Sequence, residues 1–126
     1  MRRNAGSRQA TESRHLREAR DFIHARFAGE IGLSAIATAA GLHPSHLAKM
    51  FRRYCQCTVG EYIRRLRLQY AAEELSRTDK TLSEIALAAG FYDQSHFTHA
   101  FKLQYGLTPS AYRAATQSGK AHTKPL

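Results

Sequence analysis

One pattern is written twice in this chain. Leu33-Ser-Ala-Ile-Ala-Thr-Ala-Ala-Gly-Leu42 returns about fifty residues later as Leu82-Ser-Glu-Ile-Ala-Leu-Ala-Ala-Gly-Phe91. After a one-residue insertion in the second copy, Ser45-His46-Leu47 answers Ser95-His96-Phe97 and Phe51-Arg52 answers Phe101-Lys102. Thr58 and Tyr62 answer Thr108 and Tyr112. Each copy reads as a short helix, a glycine turn and a second helix. A fold that accepts this sequence must therefore build the same small helical unit twice.

The 126 residues allow one domain or two very small ones. Nineteen Lys and Arg against ten Asp and Glu leave a net charge of +9. That excess attracts polyanions, nucleic acid first and an acidic membrane surface second. Cys55 and Cys57 are the only cysteines. A C-x-C pair has the wrong Cα separation and Cβ directions to bridge itself. The repeat register sets Cys57 against Leu107, which marks it as a small core residue. Two unbridged thiols fit a reducing compartment, and a cytoplasmic location is expected. The amino-terminal residues are polar and basic, without the apolar run of a signal peptide. The uncharged stretch 31–48 is broken by Gly41, His43, Pro44 and His46, so no membrane span is expected.

Helical signals dominate and no strand alternation persists, so the expected class is all-α. Residues 1–10 and 116–126 read as a disordered lead and tail. Leu16, Ala19, Phe22, Ile23 and Phe27 give a first helix from about Ser13 to Phe27 one apolar face. A second helix from Leu33 stops at Gly41, which suits a left-handed terminus. A third opens at Pro44 and runs to about Tyr54, with Leu47, Met50, Phe51 and Tyr54 inward. Thr58-Val-Gly-Glu61 is a capping box opening a long helix to about Ser76, with Tyr62, Ile63, Leu66, Tyr70, Ala71 and Leu75 as its apolar face. Thr81-Leu-Ser-Glu84 is a second capping box, Asp93 an N-cap for a sixth helix, and Thr108-Pro109 the start of a short last one. The expected architecture is two three-helix subdomains, about 11–57 and 77–115, joined by a linker helix over about 58–76. That linker spans roughly 27 Å.

A helix-turn-helix needs a small residue where two helices cross, a glycine four residues on, and apolar residues on the inner face of the second helix. Ala37, Gly41, Leu47 and Met50 supply this set once, and Ala86, Gly90, Phe97 and Phe101 supply it again. On the third helix Ser45, His46, Ala48, Lys49 and Arg52 are left outside the core, with Arg53 at the flank. On the sixth, Gln94, Ser95, Thr98, His99 and Lys102 are left, with His96 beside them. Gln pairs bidentately with adenine, Lys and Arg with guanine O6/N7, and Ser and Thr with either. One such helix alone would be an ordinary solvated face. Two in register on a basic chain point to base reading in double-stranded DNA. Arg64, Arg65 and Arg67 on the linker form a basic flank that suits phosphate contact and plain solvation equally.

His43/His46 and His96/His99 each put two imidazoles on one helical face, but neither pair has the third ligand that zinc requires. No metal and no cofactor are expected. No nucleophile stands beside a base, no glycine loop cradles phosphate, and no catalytic activity is expected. A DNA-repair enzyme using this module for targeting would have to act through Cys55 or Cys57. A helical protein-interaction module is the competing reading, separated from the first by the salt dependence of DNA binding.

With those residues in place, the chain resembles the DNA-binding domain of the AraC/XylS family of bacterial transcription regulators. The resemblance covers about Leu16 to Ala115. Its most specific piece is Ile85-Ala-x-x-Ala-Gly-Phe91, followed by Gln94-Ser-His-Phe97-x-x-x-Phe101-Lys102-x-x-x-Gly106-x-Thr108-Pro109-x-x-Tyr112-Arg113. The resemblance implies two helix-turn-helix subdomains bridged by a long helix, with both recognition helices entering successive major grooves. It places base contacts on Ser45, Ala48, Lys49 and Arg52, and on Gln94, Ser95, Thr98 and His99. His46, Arg53, Arg64, Arg65, His96 and Lys102 are expected at the backbone or flank. Ala48 replaces a larger polar residue often found there, which makes its contact apolar and suited to a thymine methyl. His99 stands where the family often has arginine. RNA polymerase is a further expected partner. Family members usually carry an upstream sensing and dimerising domain. This chain is therefore expected to be either a standalone monomeric regulator or the DNA-binding part of a longer, effector-responsive one.

Overall fold

The computed structural model describes the backbone of residues 2–123 and the side chains of residues 13–117. Among the described residues seven helices follow one another: α1 (Arg2–Arg26), α2 (Leu33–Ala40), α3 (Pro44–Cys55), α4 (Val59–Arg77), α5 (Leu82–Ala89), α6 (Gln94–Tyr105) and α7 (Pro109–Thr123). No strand occurs among the described residues. The chain divides into two compact units between Arg64 and Arg65, so α4 gives its first turns to one and the rest to the other.

In the first unit the core is made by Leu16, Ala19 and Ile23 of α1, Ile36, Ala37 and Ala40 of α2, and Leu47, Met50 and Phe51 of α3. Cys57, Val59 and Ile63 join it. Ala37 is small where α2 and α3 cross, and Gly41 ends α2 at φ 71°, a conformation that penalises any Cβ. Two histidines tie α1 down. The carbonyl of Ala40 accepts from His15 Nδ1 at 2.6 Å, and His24 Nε2 lies 2.8 Å from the Tyr62 hydroxyl. Burial lifts that phenol above its ordinary range, so it stays neutral and available for the bond. The Tyr62 ring also meets Phe51 edge to face at 5.4 Å.

The second unit repeats the plan with larger side chains. Leu68, Ala71, Ala72 and Leu75 of α4 pack with Ile85, Ala86 and Ala89 of α5, Phe91 of the turn, and Phe97, Ala100 and Phe101 of α6. Phe101 stacks on Tyr105 at 4.5 Å and meets Tyr112 edge to face at 5.3 Å. Arg113 and Gln117 of α7 both donate to the carbonyls of Leu75 and Thr78, at 3.0 to 3.3 Å. A helix leaves its last carbonyls without partners, and these donors close the end of α4.

Three expectations change. The lead and tail are helical where described: α1 starts at Arg2, not near Ser13, and α7 runs to Thr123. Apolar periodicity is missing from both extensions. However, they hold no proline and many good helix formers, and a helix already nucleated propagates at little cost. Met1 and residues 124–126 lie outside the described residues. Tyr54 was expected inward but is 41% exposed, with the Arg53 guanidinium 5.4 Å from its ring centre. On α4, Leu68 and Ala72 belong to the core while Tyr62, Leu66 and Tyr70 are only half-buried. The helix serves two cores in turn, so no single stripe describes it.

Candidate nucleic-acid interface

The two helix-turn-helix units present their second helices in the same local way. Gly41 N–H donates to the Thr38 carbonyl at 3.1 Å and Leu42 N–H to Ala37 at 2.8 Å. Gly90 donates to Leu87 at 3.1 Å and Phe91 to Ala86 at 2.9 Å. Each second helix is then pinned by three buried side chains: Leu47, Met50 and Phe51 in α3, and Phe97, Ala100 and Phe101 in α6. The opposite faces are thereby fixed outward.

On α3, Ser45, Lys49 and Arg52 are exposed and Ala48 is half-buried between them, one face by helical spacing. His46 and Arg53 are exposed at its flank. On α6, Gln94, Ser95 and His99 are exposed and Thr98 is half-buried, with His96 and Lys102 exposed beside them. The structure thus brings each set of four expected base contacts onto one face of one helix. Arg64 and Arg65 are exposed on α4.

Two side chains that sequence reasoning passed over set up these faces. His43 is the N-cap of α3: its Nδ1 accepts from Ser45 N–H at 3.1 Å and lies 2.8 Å from the Ser45 hydroxyl. The repeat register could have found it, because His43 stands opposite the N-cap Asp93, whose carboxylate accepts from His96 N–H at 2.8 Å. Ser83 of α5 donates its hydroxyl to Gln94 Oε1 at 2.8 Å. That bond orients the amide while leaving one lone pair and the NH₂ free, the set that an adenine edge requires.

No group of three or more His, Cys, Asp or Glu able to hold a metal occurs among the described residues. No described helix is long and apolar enough to cross a membrane.

Comparison with known proteins agrees with this geometry. A helix-turn-helix domain family matches residues 36–115. The regulatory protein SoxS of Escherichia coli is 36% identical over 83 residues, covering 66% of this chain and 78% of SoxS. A transcriptional regulator of Chromobacterium violaceum with an AraC-type DNA-binding domain superposes with a TM-score of 0.78 at 28% identity, over 89% of this chain and 96% of that one. The DNA-binding domain of AdpA, solved with a target DNA, shares the fold at a TM-score of 0.79 and 22% identity, over 84% of this chain and 96% of that one. The chain belongs to the AraC/XylS family of transcriptional regulators and carries that family's double helix-turn-helix domain for sequence-specific DNA binding.

Proposed function

We propose that α3 and α6 are both recognition helices and enter successive major grooves of one DNA duplex. Ser45, Ala48, Lys49 and Arg52 read the first half-site, and Gln94, Ser95, Thr98 and His99 the second. The observation that supports this most is the duplicated scaffold. The same glycine turn and the same buried triad hold a polar, outward face on each second helix. Lys49 and Arg52 suit guanine, Gln94 suits adenine, and Ala48 suits a thymine methyl. Arg53, Arg64, Arg65, His46, His96 and Lys102 lie where phosphates flank the grooves and fix register rather than sequence. Two internal copies replace the two halves of a dimer, so the chain binds as a monomer. It acts by binding, without a catalytic step, in the cytoplasm at the nucleoid. Its effect on transcription comes from contact with RNA polymerase or from occupying the promoter. Single alanine variants at Lys49, Arg52, Gln94 and His99, assayed against all single-base changes in a selected site, test the assignment. Each should relax preference at its own position. If the α6 variants bind every sequence as wild type does, the sixth helix does not read DNA.

A further inference from the structure

The two reading units differ in charge more than their shared scaffold implies. From Leu33 to Cys55 the charged residues are Lys49, Arg52 and Arg53, a net +3 with no acid. From Leu82 to Tyr105 they are Lys102, Glu84 and Asp93, a net −1. The second unit has no Lys or Arg between Lys80 and Lys102. Attraction to phosphate, the general source of affinity for DNA, is therefore stronger at the first helix-turn-helix than at the second. Beyond Lys102, whatever the outward face of α6 and the turn before it contribute must come from uncharged contact.

The turn before α6 supplies a group for it. With Gly41 over Gly90, Leu42 over Phe91 and the N-cap His43 over the N-cap Asp93, the residue inserted in the second copy is Tyr92. Its neighbours Phe91 and Phe97 are buried, yet Tyr92 is 88% exposed. Single exposed apolar residues are ordinary, so exposure alone decides nothing. Position does. Tyr92 stands two residues before Gln94, at the end of the helix that reads bases, and Gln94 is held in place by Ser83. The Asp93 carboxylate beside it opposes a close phosphate, which disfavours a hydroxyl-to-phosphate contact and favours the ring against a base edge.

We propose that Tyr92 is a specificity-determining residue of the second half-site. Its ring packs on the thymine methyl of the base pair next to the one that Gln94 reads. This rests on α6 being a recognition helix. The test is binding-site selection from a random duplex library with the wild-type chain, Tyr92→Phe, Tyr92→Ala and Gln94→Ala, with thermal unfolding as a folding control. Tyr92→Ala should lose preference at one base pair and bind the selected site on the order of tenfold more weakly. Its salt dependence should stay that of wild type, because no phosphate contact is lost. Tyr92→Phe should keep both affinity and preference. Three outcomes overturn the proposal: Tyr92→Ala indistinguishable from wild type, equal weakening on all sequences, or Tyr92→Phe failing as alanine does. If Gln94→Ala relaxes its own position while Tyr92→Ala is silent, only the role of Tyr92 falls. If both are silent, α6 does not read DNA and the ring is free for a protein partner.

Discussion

Lys49 and Arg52 stand three residues apart on α3, both exposed, both charged, and both directed away from the Leu47, Met50 and Phe51 core. Removing either side chain should cost about 1–3 kcal/mol on the selected site and blur one base position. Gln94→Ala should do the same in the second half-site, read by competition gel shifts. Arg64→Ala should weaken all sequences alike and lower the salt slope by about 1, since a phosphate contact carries no sequence information. Inside the units, the small residues at the helix crossings matter as much as the polar ones outside. Ala86 is fully buried where α5 meets α6, so Ala86→Leu should destabilise the chain by about 1–3 kcal/mol in thermal unfolding. The crossing residues were legible in the sequence because Ala-x-x-x-Gly recurs in register. Tyr54 was not. Helical spacing placed it inward, but the last turn of α3 runs past the core, and its ring is left to Arg53.

At the scale of elements, the caps decide where each helix begins. The Thr81–Glu84 box is complete: Thr81 Oγ1 accepts from Glu84 N–H at 3.1 Å, and Glu84 Oε1 accepts from Thr81 N–H at 2.8 Å. The bonds from Thr81 hold the Glu84 carboxyl below its ordinary value of 4.5. Its folded form therefore binds a proton less readily than its unfolded form. The stability it adds is complete above about pH 4.5 and is lost as pH falls through the lower folded value. Glu84→Gln keeps a capping side chain without the charge, so unfolding followed from pH 7 to 3 should show a shallower acid limb than wild type. An unchanged limb would mean that the box carries no charge-dependent stability. Both capping boxes, the helix-ending Gly41 and Gly90, and Asp93 could be read directly from residue type and spacing, because caps are local. The ends of α1 and α7 could not, since a polar helix extending from a packed one leaves no apolar period. The bonds from Arg113 and Gln117 to Leu75 and Thr78 were hidden for another reason: they join residues 35 to 42 apart in sequence. The outward faces of α3 and α6 were legible as remainders, once the inward residues were assigned. Ser83, which aims Gln94, was not, because its partner lies across a turn.

For the whole molecule, α4 is the one helix among the described residues that the two units share. Its 19 residues extend about 28 Å, against the roughly 34 Å that separate successive major grooves. If α4 acts as a stiff spacer, DNA bends toward the protein when both half-sites are filled, and the sequence of the untouched central base pairs affects affinity. A Gly-Gly insertion near Tyr70 should soften the spacer, weaken binding and reduce the bend, as measured by circular-permutation gel shifts. Unchanged affinity would show that the helix sets no spacing. The two copies also differ where they face outward: Ala48 against Thr98, Lys49 against His99, Arg52 against Lys102. A monomer reading with unlike halves needs an unlike site. Selection of bound sequences from a random duplex library, with stoichiometry measured on the winner, tests this most directly. The expected result is one asymmetric site of about two helical turns, bound one to one, with two blocks of base preference. A palindrome bound two to one, or a single short block insensitive to changes in α6, would contradict it.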